Sequence, residues 1–379
     1  MFLNGEIPAK ILFVVNVDWF FLSHRLPIAI AAKAEGYEVH IACQLTEKGS
    51  GIHNYGFHIH ELPIGRSSAS LSQELKTLLA IRKLVKSIKP DVIHSVTIKP
   101  VLYTGLVTRF SNVARVASIS GLGFIFIAEG FKAAIVRWII GFVYKLALRR
   151  LRTKVIFQNP TDQELFVSSG IIKSNQALLV PGSGVDLDEY HFSPEPDGMP
   201  VVMLLARLLV DKGVLEFVEA ARILKVQGLE CRMVLVGDID ENPKSVSQSQ
   251  LSSWVEGGVI EHWGYSDHVS DTYAKANIVV LPSYREGLPK SLIEAAACGR
   301  AVITTDVPGC RDAITPEVTG LLVQAKDSDS LAYAIAKLSA DATLRASFGK
   351  AGRELAESEF DVGLVVDKHL TLYQELIEI

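Results

Sequence analysis

Residues 10–43 read KILFVVNVDWFFLSHRLPIAIAAKAEGYEVHIAC. Lys10–Val17 is a short apolar run rich in β-branched residues, the pattern of a strand buried on both faces. Leu26–Glu35 then places apolar side chains at helical spacing, with Pro27 near its start and Gly36 past its end. Tyr37–Cys43 returns to the strand pattern. A strand, a helix and a second strand in this order form the unit from which parallel sheets are built.

The alternation continues on either side of that unit. Strand signals recur at Phe57–Leu62, Asp91–Ser95, Arg115–Ser118 and Lys154–Phe157, with helical patterns at Leu71–Ile88, Lys99–Phe110 and Phe131–Arg152 between some of them. This predicts a mainly parallel, doubly wound sheet. After Val180 the stretch PGSGVDLDEYHFSPEPDGMP is dense in Gly, Pro, Ser and Asp, which marks a linker. A second series follows, with strands at Pro200–Leu205, Cys231–Val236, Val259–Trp263, Ile278–Leu281 and Ala301–Thr304. Its helices are expected at Val214–Val226, Ser291–Ala297 and Leu331–Ala340. The expected fold class is α/β, with two facing Rossmann-like doubly wound domains and a cleft between them. The first domain covers 1–185 and the second 186–360, with a terminal helix over 361–379 packing back onto the first.

Composition agrees with two cores. The chain has 379 residues, 49% of them hydrophobic, which excludes a single small binding module. Cys43, Cys231, Cys298 and Cys310 form no CxxC and no Cys/His cluster, so neither a disulfide framework nor a zinc site is indicated and a reducing compartment fits. Glu6 and Lys10 interrupt the apolar N-terminus and no small-residue cleavage site follows, so no secretory signal is expected. The net charge of −4 hides an asymmetry: residues 1–185 carry 21 Lys+Arg against 11 Asp+Glu, and the remainder 17 against 31. A basic half and an acidic half suggest domains with different partners.

Several chemistries are disfavoured outright. The first strand-to-helix turn, NVDWFFLSHR, contains no glycine, against a dinucleotide fingerprint of the NAD or FAD kind. No GxxxxGK[ST], GxSxG or HExxH occurs. The informative stretch is LPSYREGLPKSLIEAAACG, residues 281–299, which runs strand, loop, helix. It puts Glu286 in the loop and Glu294 on the helix, eight residues apart. The Gly287-Leu288-Pro289 turn stands just before the helix, where unsatisfied N–H groups and the positive end of the helix dipole can hold an anionic or hydroxyl-rich group.

This segment resembles the ExxxxxxxE signature of retaining glycosyltransferases of the GT-B fold, specifically family four. Other pieces follow in the right order: Ala206-Arg207-Leu208 with Asp211-Lys212-Gly213, then Val236-Gly237, then Trp263-Gly264-Tyr265. The resemblance covers essentially residues 10–379. It implies that Arg207 and Lys212 clamp the donor diphosphate and stabilise the departing UDP, as fixed cations can. Glu294 would hold the ribose hydroxyls, and Glu286 with the N–H groups of Leu288 and Lys290, beside Pro289, would position the transferred sugar. Gly237, Tyr265 and Gly287 complete the donor set. Taken singly, a strand-terminal Arg is often a surface ion pair and a helix Glu merely solvated; the ordered set carries the reading. Arg207, Lys212 and helix N-termini are expected to supply the positive charge, so no metal and no cofactor is expected. Retention is expected through same-face attack on a short-lived oxocarbenium-like ion pair.

Family members often carry a glycine-rich first loop and a later Thr-x-His-Gly. Here the loop is Asp18–Arg25, and Ser120 in Ser118-Ile119-Ser120-Gly121 stands where the histidine would be. FFLSHRLPIA, SGLGF, VGDIDENP and DVPGCRDAI look like transferases that add N-acetylgalactosamine or a related sugar to undecaprenyl-diphosphate-linked acceptors in bacterial glycan assembly. That narrower resemblance makes His24, Arg25, Lys99, Gly121 and Gly123 candidate acceptor contacts. His24 as a local cap and Lys99 as a helix start are the plainer alternatives.

From Gly130 to Pro160 there is no Asp or Glu but seven Lys or Arg. Arg137, Lys145, Arg149 and Arg152 share one helical stripe at these spacings. The longest charge-free run, Trp138–Tyr144, is far short of the ~20 residues that span a bilayer. An interfacial helix and a buried helix packed on the sheet are both compatible with this pattern. The expected partners are a UDP-sugar, a polyprenyl-diphosphate-linked saccharide and the inner face of the cell membrane, with no nucleic acid. A UDP-sugar 2-epimerase of similar fold and a non-catalytic sugar-nucleotide binding protein are the rivals.

Overall fold

The computed structural model describes residues 8–65, 70–122, 130–240 and 242–378. The chain divides into two units, one ending at Ser183 and resuming at Gly363, the other spanning Gly184–Val362. The crossings thus lie close to the boundaries expected at 185 and 361.

In the first unit the strands are β1 (Lys10–Val17), β2 (Glu38–Gln44), β3 (His58–Glu61), β4 (Val92–Val96), β5 (Ala114–Ile119), β6 (Thr153–Phe157) and β7 (Ala177–Leu179). The helices are α1 (Asp18–His24), α2 (Leu26–Ala34), α3 (Leu71–Ile88), α4 (Ile98–Val107), α5 (Phe131–Leu148) and α6 (Pro160–Ser168). The sheet order is β3-β2-β1-β4-β5-β6-β7, with parallel pairing throughout. β1 shows why its sequence is apolar without alternation. Ile11, Phe13 and Val15 enter one buried cluster while Leu12 and Val14 enter another, because successive side chains leave opposite faces of a sheet covered on both sides.

The second unit carries β8 (Val201–Leu205), α7 (Val214–Val226), β9 (Arg232–Val236), α8 (Gln248–Glu256), β10 (Glu261–His262), α9 (Val269–Tyr273), β11 (Ile278–Leu281), α10 (Lys290–Ala297), β12 (Ala301–Thr305), β13 (Gly320–Val323), α11 (Ser328–Ala340) and α12 (Ala342–Leu355). Its sheet, β10-β9-β8-β11-β12-β13, is also parallel. Val202 and Leu204 pack on one face, Val201 and Met203 on the other. The last helix, α13 (Val362–Glu378), buries Val365, Leu372, Tyr373 and Leu376 in the same cluster as Ile11 and Phe13 of the first unit. The α/β, doubly wound architecture is as the sequence predicts.

Three expectations need correction. Asp18–Arg25 is not a loop: Asp18–His24 is helical, and the Asp18 carboxylate at its start accepts from the backbone N–H of Trp19 at 2.7 Å and the Thr46 hydroxyl at 2.8 Å. The helix expected to reach Arg152 ends at Leu148, with Arg149 as its C-cap. Arg152 instead precedes β6 and donates to the carbonyls of Asn112 at 3.0 Å and Leu376 at 2.5 Å. The four-cation stripe therefore does not exist as one helical face, and only Arg137 and Lys145 of the set lie on α5. The strand expected at Val259–Trp263 contracts to Glu261–His262.

Candidate functional site

In each sheet the strand order reverses direction between two neighbours, β1 and β4 in the first unit and β8 and β11 in the second. The loops leaving the carboxyl ends of two such strands diverge to opposite faces and leave a crevice, which is where doubly wound folds bind ligands.

In the second unit the loop after β8 brings Arg207 and Lys212, and the loop after β11 brings Ser283 and Glu286. The Lys212 Nζ lies 2.5 Å from a Glu286 carboxylate oxygen, and the Ser283 hydroxyl donates to the same oxygen at 2.6 Å. The backbone ties the two loops together: the N–H of Tyr284 donates to the carbonyl of Asp211 at 3.0 Å. Arg207 is exposed and pairs with Asp240 at 2.9 Å. Three glycines let these backbones approach. A Cβ on Gly213 would lie 2.2 Å from the Pro282 carbonyl oxygen, one on Gly237 1.9 Å from that of Ala206, and one on Gly309 2.4 Å from that of Glu286; all three have positive φ. Gly309 belongs to DVPGCRDAI, so that segment braces the loop that carries Glu286.

α10 begins at Lys290 with Pro289 as N-cap, whose carbonyl accepts from the N–H of Leu292 at 3.1 Å, and no side chain caps the N–H groups of its start. Leu288 is buried just before it, and Tyr265 is exposed in the loop after β10. Glu294, one turn on, is 5% exposed. One carboxylate oxygen lies 3.1 Å from the Lys290 ammonium, and the other accepts from the Tyr273 hydroxyl at 3.5 Å. Burial pushes its carboxyl above the usual range, against the pull of the Lys290 ammonium and the Tyr190 phenol.

In the first unit the candidate contacts separate. His24 ends α1, stacked on Phe20 with ring centroids 4.2 Å apart and 2.5 Å from the Ser23 hydroxyl. Lys99 stands in the first turn of α4 and is held by Glu74 at 2.9 Å and the Gly65 carbonyl at 3.0 Å. Gly121 follows β5 with φ 104, and Gly123 lies outside the described residues. Arg25 is only 1% exposed, donating to the His24 carbonyl at 2.8 Å and the Ser183 hydroxyl at 3.2 Å, and burial lowers its pKa to about 10. The turn after α1 directs its side chain inward.

Asn16 and Thr97, which the sequence does not single out, stand at the crevice of this unit with Ser120, which occupies the position of the family histidine. Asn16 at the end of β1, Thr97 after β4 and Ser120 after β5 each carry a buried side-chain oxygen without a hydrogen-bond partner among the described residues. Thr97 also has φ 73, uncommon for a β-branched residue and a form of strain that concentrates at functional sites. The available signal was position: each stands at the carboxyl end of one of three adjacent strands. At the sheet edge, Glu38, His40 and His58 place one ligand-type atom each within 4.8 Å of one another, a cluster built from E-x-H on β2 beside H-x-H on β3. Glu38 is also 3.4 Å from Lys10.

Two parallel-sheet, Rossmann-like units, the second with paired cations and carboxylates at its switch point, define a GT-B type glycosyltransferase. Residues 10–159 match the family described as Glycosyl transferase 4-like and residues 187–355 the family described as Glycosyl transferases group 1. The chain is 30% identical over 380 residues to the N,N'-diacetylbacillosaminyl-diphospho-undecaprenol alpha-1,3-N-acetylgalactosaminyltransferase of Campylobacter jejuni, covering 94% of this chain and 98% of that one. It is 23% identical to the UDP-Gal:alpha-D-GlcNAc-diphosphoundecaprenol alpha-1,3-galactosyltransferase of Escherichia coli, covering 81% of each. The sucrose-phosphate synthase of Thermosynechococcus elongatus superposes with a TM-score of 0.81 at 22% identity, covering 98% of this chain and 100% of that one. The chain belongs to the group 1, GT4-like glycosyltransferases and is a hexosyltransferase.

Proposed function

We propose that the protein transfers a hexosamine, best read as N-acetylgalactosamine, from its UDP derivative to a saccharide carried on a polyprenyl diphosphate, with retention at the anomeric carbon. The observation that carries this reading is the convergence of Arg207, Lys212 and Glu286 at one switch point, beside the uncapped start of α10. Such a site offers fixed positive charge to a leaving diphosphate. The names of the two bacterial relatives supply the substrate class: each acts on an undecaprenol-diphosphate-linked sugar.

In this reading the diphosphate draws Lys212 from Glu286, with Arg207 as the second cation. The freed Glu286 carboxylate, still held by Ser283, accepts hydroxyls of the transferred sugar with the N–H groups of Leu288 and Lys290. Glu294 takes the ribose hydroxyls, displacing Lys290 from one oxygen, while Gly237, Gly287 and Pro289 allow close backbone approach and Tyr265 flanks the donor. Attack on the same face as departure, through an oxocarbenium-like ion pair, gives retention. Arg207, Lys212 and the α10 terminus do the work of a metal, so none is required. In the first unit His24, Lys99, Gly121, Asn16, Thr97 and Ser120 form the acceptor side.

The protein works at the inner surface of the cell membrane in this reading. Among the described residues no helix is long and apolar enough to cross a membrane. Yet α5 buries Tyr144, Ala147 and Leu148 and leaves Ile135, Val136, Trp138, Ile139 and Phe142 exposed, with Lys145 also exposed in its last turn. That combination suits an anionic bilayer surface.

The test is incubation with a panel of UDP-sugars and short-chain polyprenyl diphosphate saccharides in EDTA, with products read by mass. One added N-acetylhexosamine is expected. Loss of transfer in EDTA with rescue by Mg²⁺ contradicts the metal-free reading; UDP release without an acceptor favours an epimerase, and no turnover favours a binding protein.

A further inference from the structure

A cavity of about 410 Å³ opens at the amino ends of β5, β6 and β7, the opposite end of the sheet from Asn16, Thr97 and Ser120. Arg115, Arg149, Arg150, Arg152 and Lys173 line it, and no Asp or Glu does. Among the described residues none of the five forms an ion pair. Gathering five cations without a counter-ion costs free energy, which a folded chain offsets by hydrogen bonds or by a bound anion.

Hydrogen bonds account for part of the cluster. Arg115 is fully engaged: it donates to the carbonyls of Gly105 at 3.0 Å and Ala147 at 2.9 Å, and to the Thr153 hydroxyl at 2.8 Å. Arg150 reaches the Ser111 carbonyl at 3.1 Å. The rest is unaccounted for. The Nε of Arg152 is buried without an acceptor among the described residues, although its two terminal nitrogens are bonded to Asn112 and Leu376. The exposed side chains of Arg149 and Lys173 bond to nothing among the described residues.

We propose that this cavity is a binding site for a phosphate-bearing anion, either the phosphodiester headgroup of an anionic lipid or free phosphate. An anion seated there would take the Arg152 Nε proton and the open donors of Arg149 and Lys173, the charge-assisted bonds that guanidinium and ammonium groups make to phosphate. The lipid source is favoured because Arg149 directly follows α5, so a headgroup held there would sit beside the exposed apolar face. That preference rests on the membrane reading of α5; the anion site itself does not.

The experiment is calorimetric titration of the full chain with glycerophosphoglycerol, the deacylated headgroup of phosphatidylglycerol, and separately with inorganic phosphate. Saturable binding is expected, weakened at least fivefold in the Arg149→Ala/Lys173→Ala double variant, whose altered side chains are exposed, and regained with Arg149→Lys/Lys173→Arg. Tighter binding of glycerophosphoglycerol assigns the site to lipid, and tighter binding of phosphate assigns it to the free ion. Trp138→Ser should leave either titration unchanged, which separates this site from the membrane reading. No saturable binding to either probe, or a loss of less than fivefold in the double variant, overturns the proposal.

Discussion

A lysine and a glutamate 2.5 Å apart at the edge of a crevice neutralise each other until something more highly charged arrives. Lys212 and Glu286 are in that state, and Arg207 is the more exposed cation, held among the described residues by Asp240 alone. Charge on a leaving diphosphate grows during transfer, so Arg207→Ala should lower kcat about 10²-fold. In the proposed reading Glu294 holds the ribose, a part of the donor that does not react. Glu294→Gln should therefore raise KM several-fold with kcat nearly unchanged. Equal effects on both constants from both variants, measured in steady-state kinetics, would contradict this division. Spacing within residues 281–299 located the loop and the helix because a strand end, a Gly-Leu-Pro turn and a helix start are local features. The inward turn of Arg25 was not legible, nor were the unpartnered oxygens of Asn16, Thr97 and Ser120, since each depends on which distant strand lies alongside.

At the scale of elements, α13 joins the first unit through a buried histidine cluster. His94 lies 2.5 Å from the Tyr373 hydroxyl and 2.8 Å from that of Ser118, and its ring stacks against that of His369 at 5.3 Å. Burial, with Arg25 adding to it, pushes His369 down to about 3; burial and His369 push His94 well below its usual value. In the unfolded chain these imidazoles titrate near 6.5. Below that pH the unfolded chain binds protons the folded one refuses, so this stabilisation is complete above about pH 6.5 and declines as the pH falls towards 3. The Tm should drop between pH 7.5 and 5, and His369→Phe should flatten the slope; an equally steep variant would show that other groups govern it. For α5, Trp138→Ser with Phe142→Ser should weaken sedimentation with phosphatidylglycerol vesicles about tenfold or more, given about 1.5–3 kcal/mol per buried large apolar side chain. Because Trp138 is 73% and Phe142 53% exposed, the Tm should hardly change; a large drop in Tm would mean that these rings pack in the fold. The pattern of α5 showed that it was apolar and basic but not where it stopped, since Arg149 and Arg152 fit a helical stripe as well as they fit the loop they occupy.

For the whole molecule, two parallel sheets were legible because central strands such as β1, β4, β5, β8, β11 and β12 are buried on both faces and read as apolar runs separated by helices. Short edge pieces such as β7 and β13 were missed because so few residues carry no period. The two units divide the work in this account, the second holding the UDP-sugar and the first the lipid-linked acceptor. Its central claim is transfer with retention from one to the other. The measurement that tests it most directly is the anomeric configuration of the product, read from the proton coupling constant of the newly attached sugar by NMR after reaction of UDP-α-N-acetylgalactosamine with a short-chain polyprenyl diphosphate saccharide. The account predicts a single new α-linked residue; a β-linked residue would contradict it.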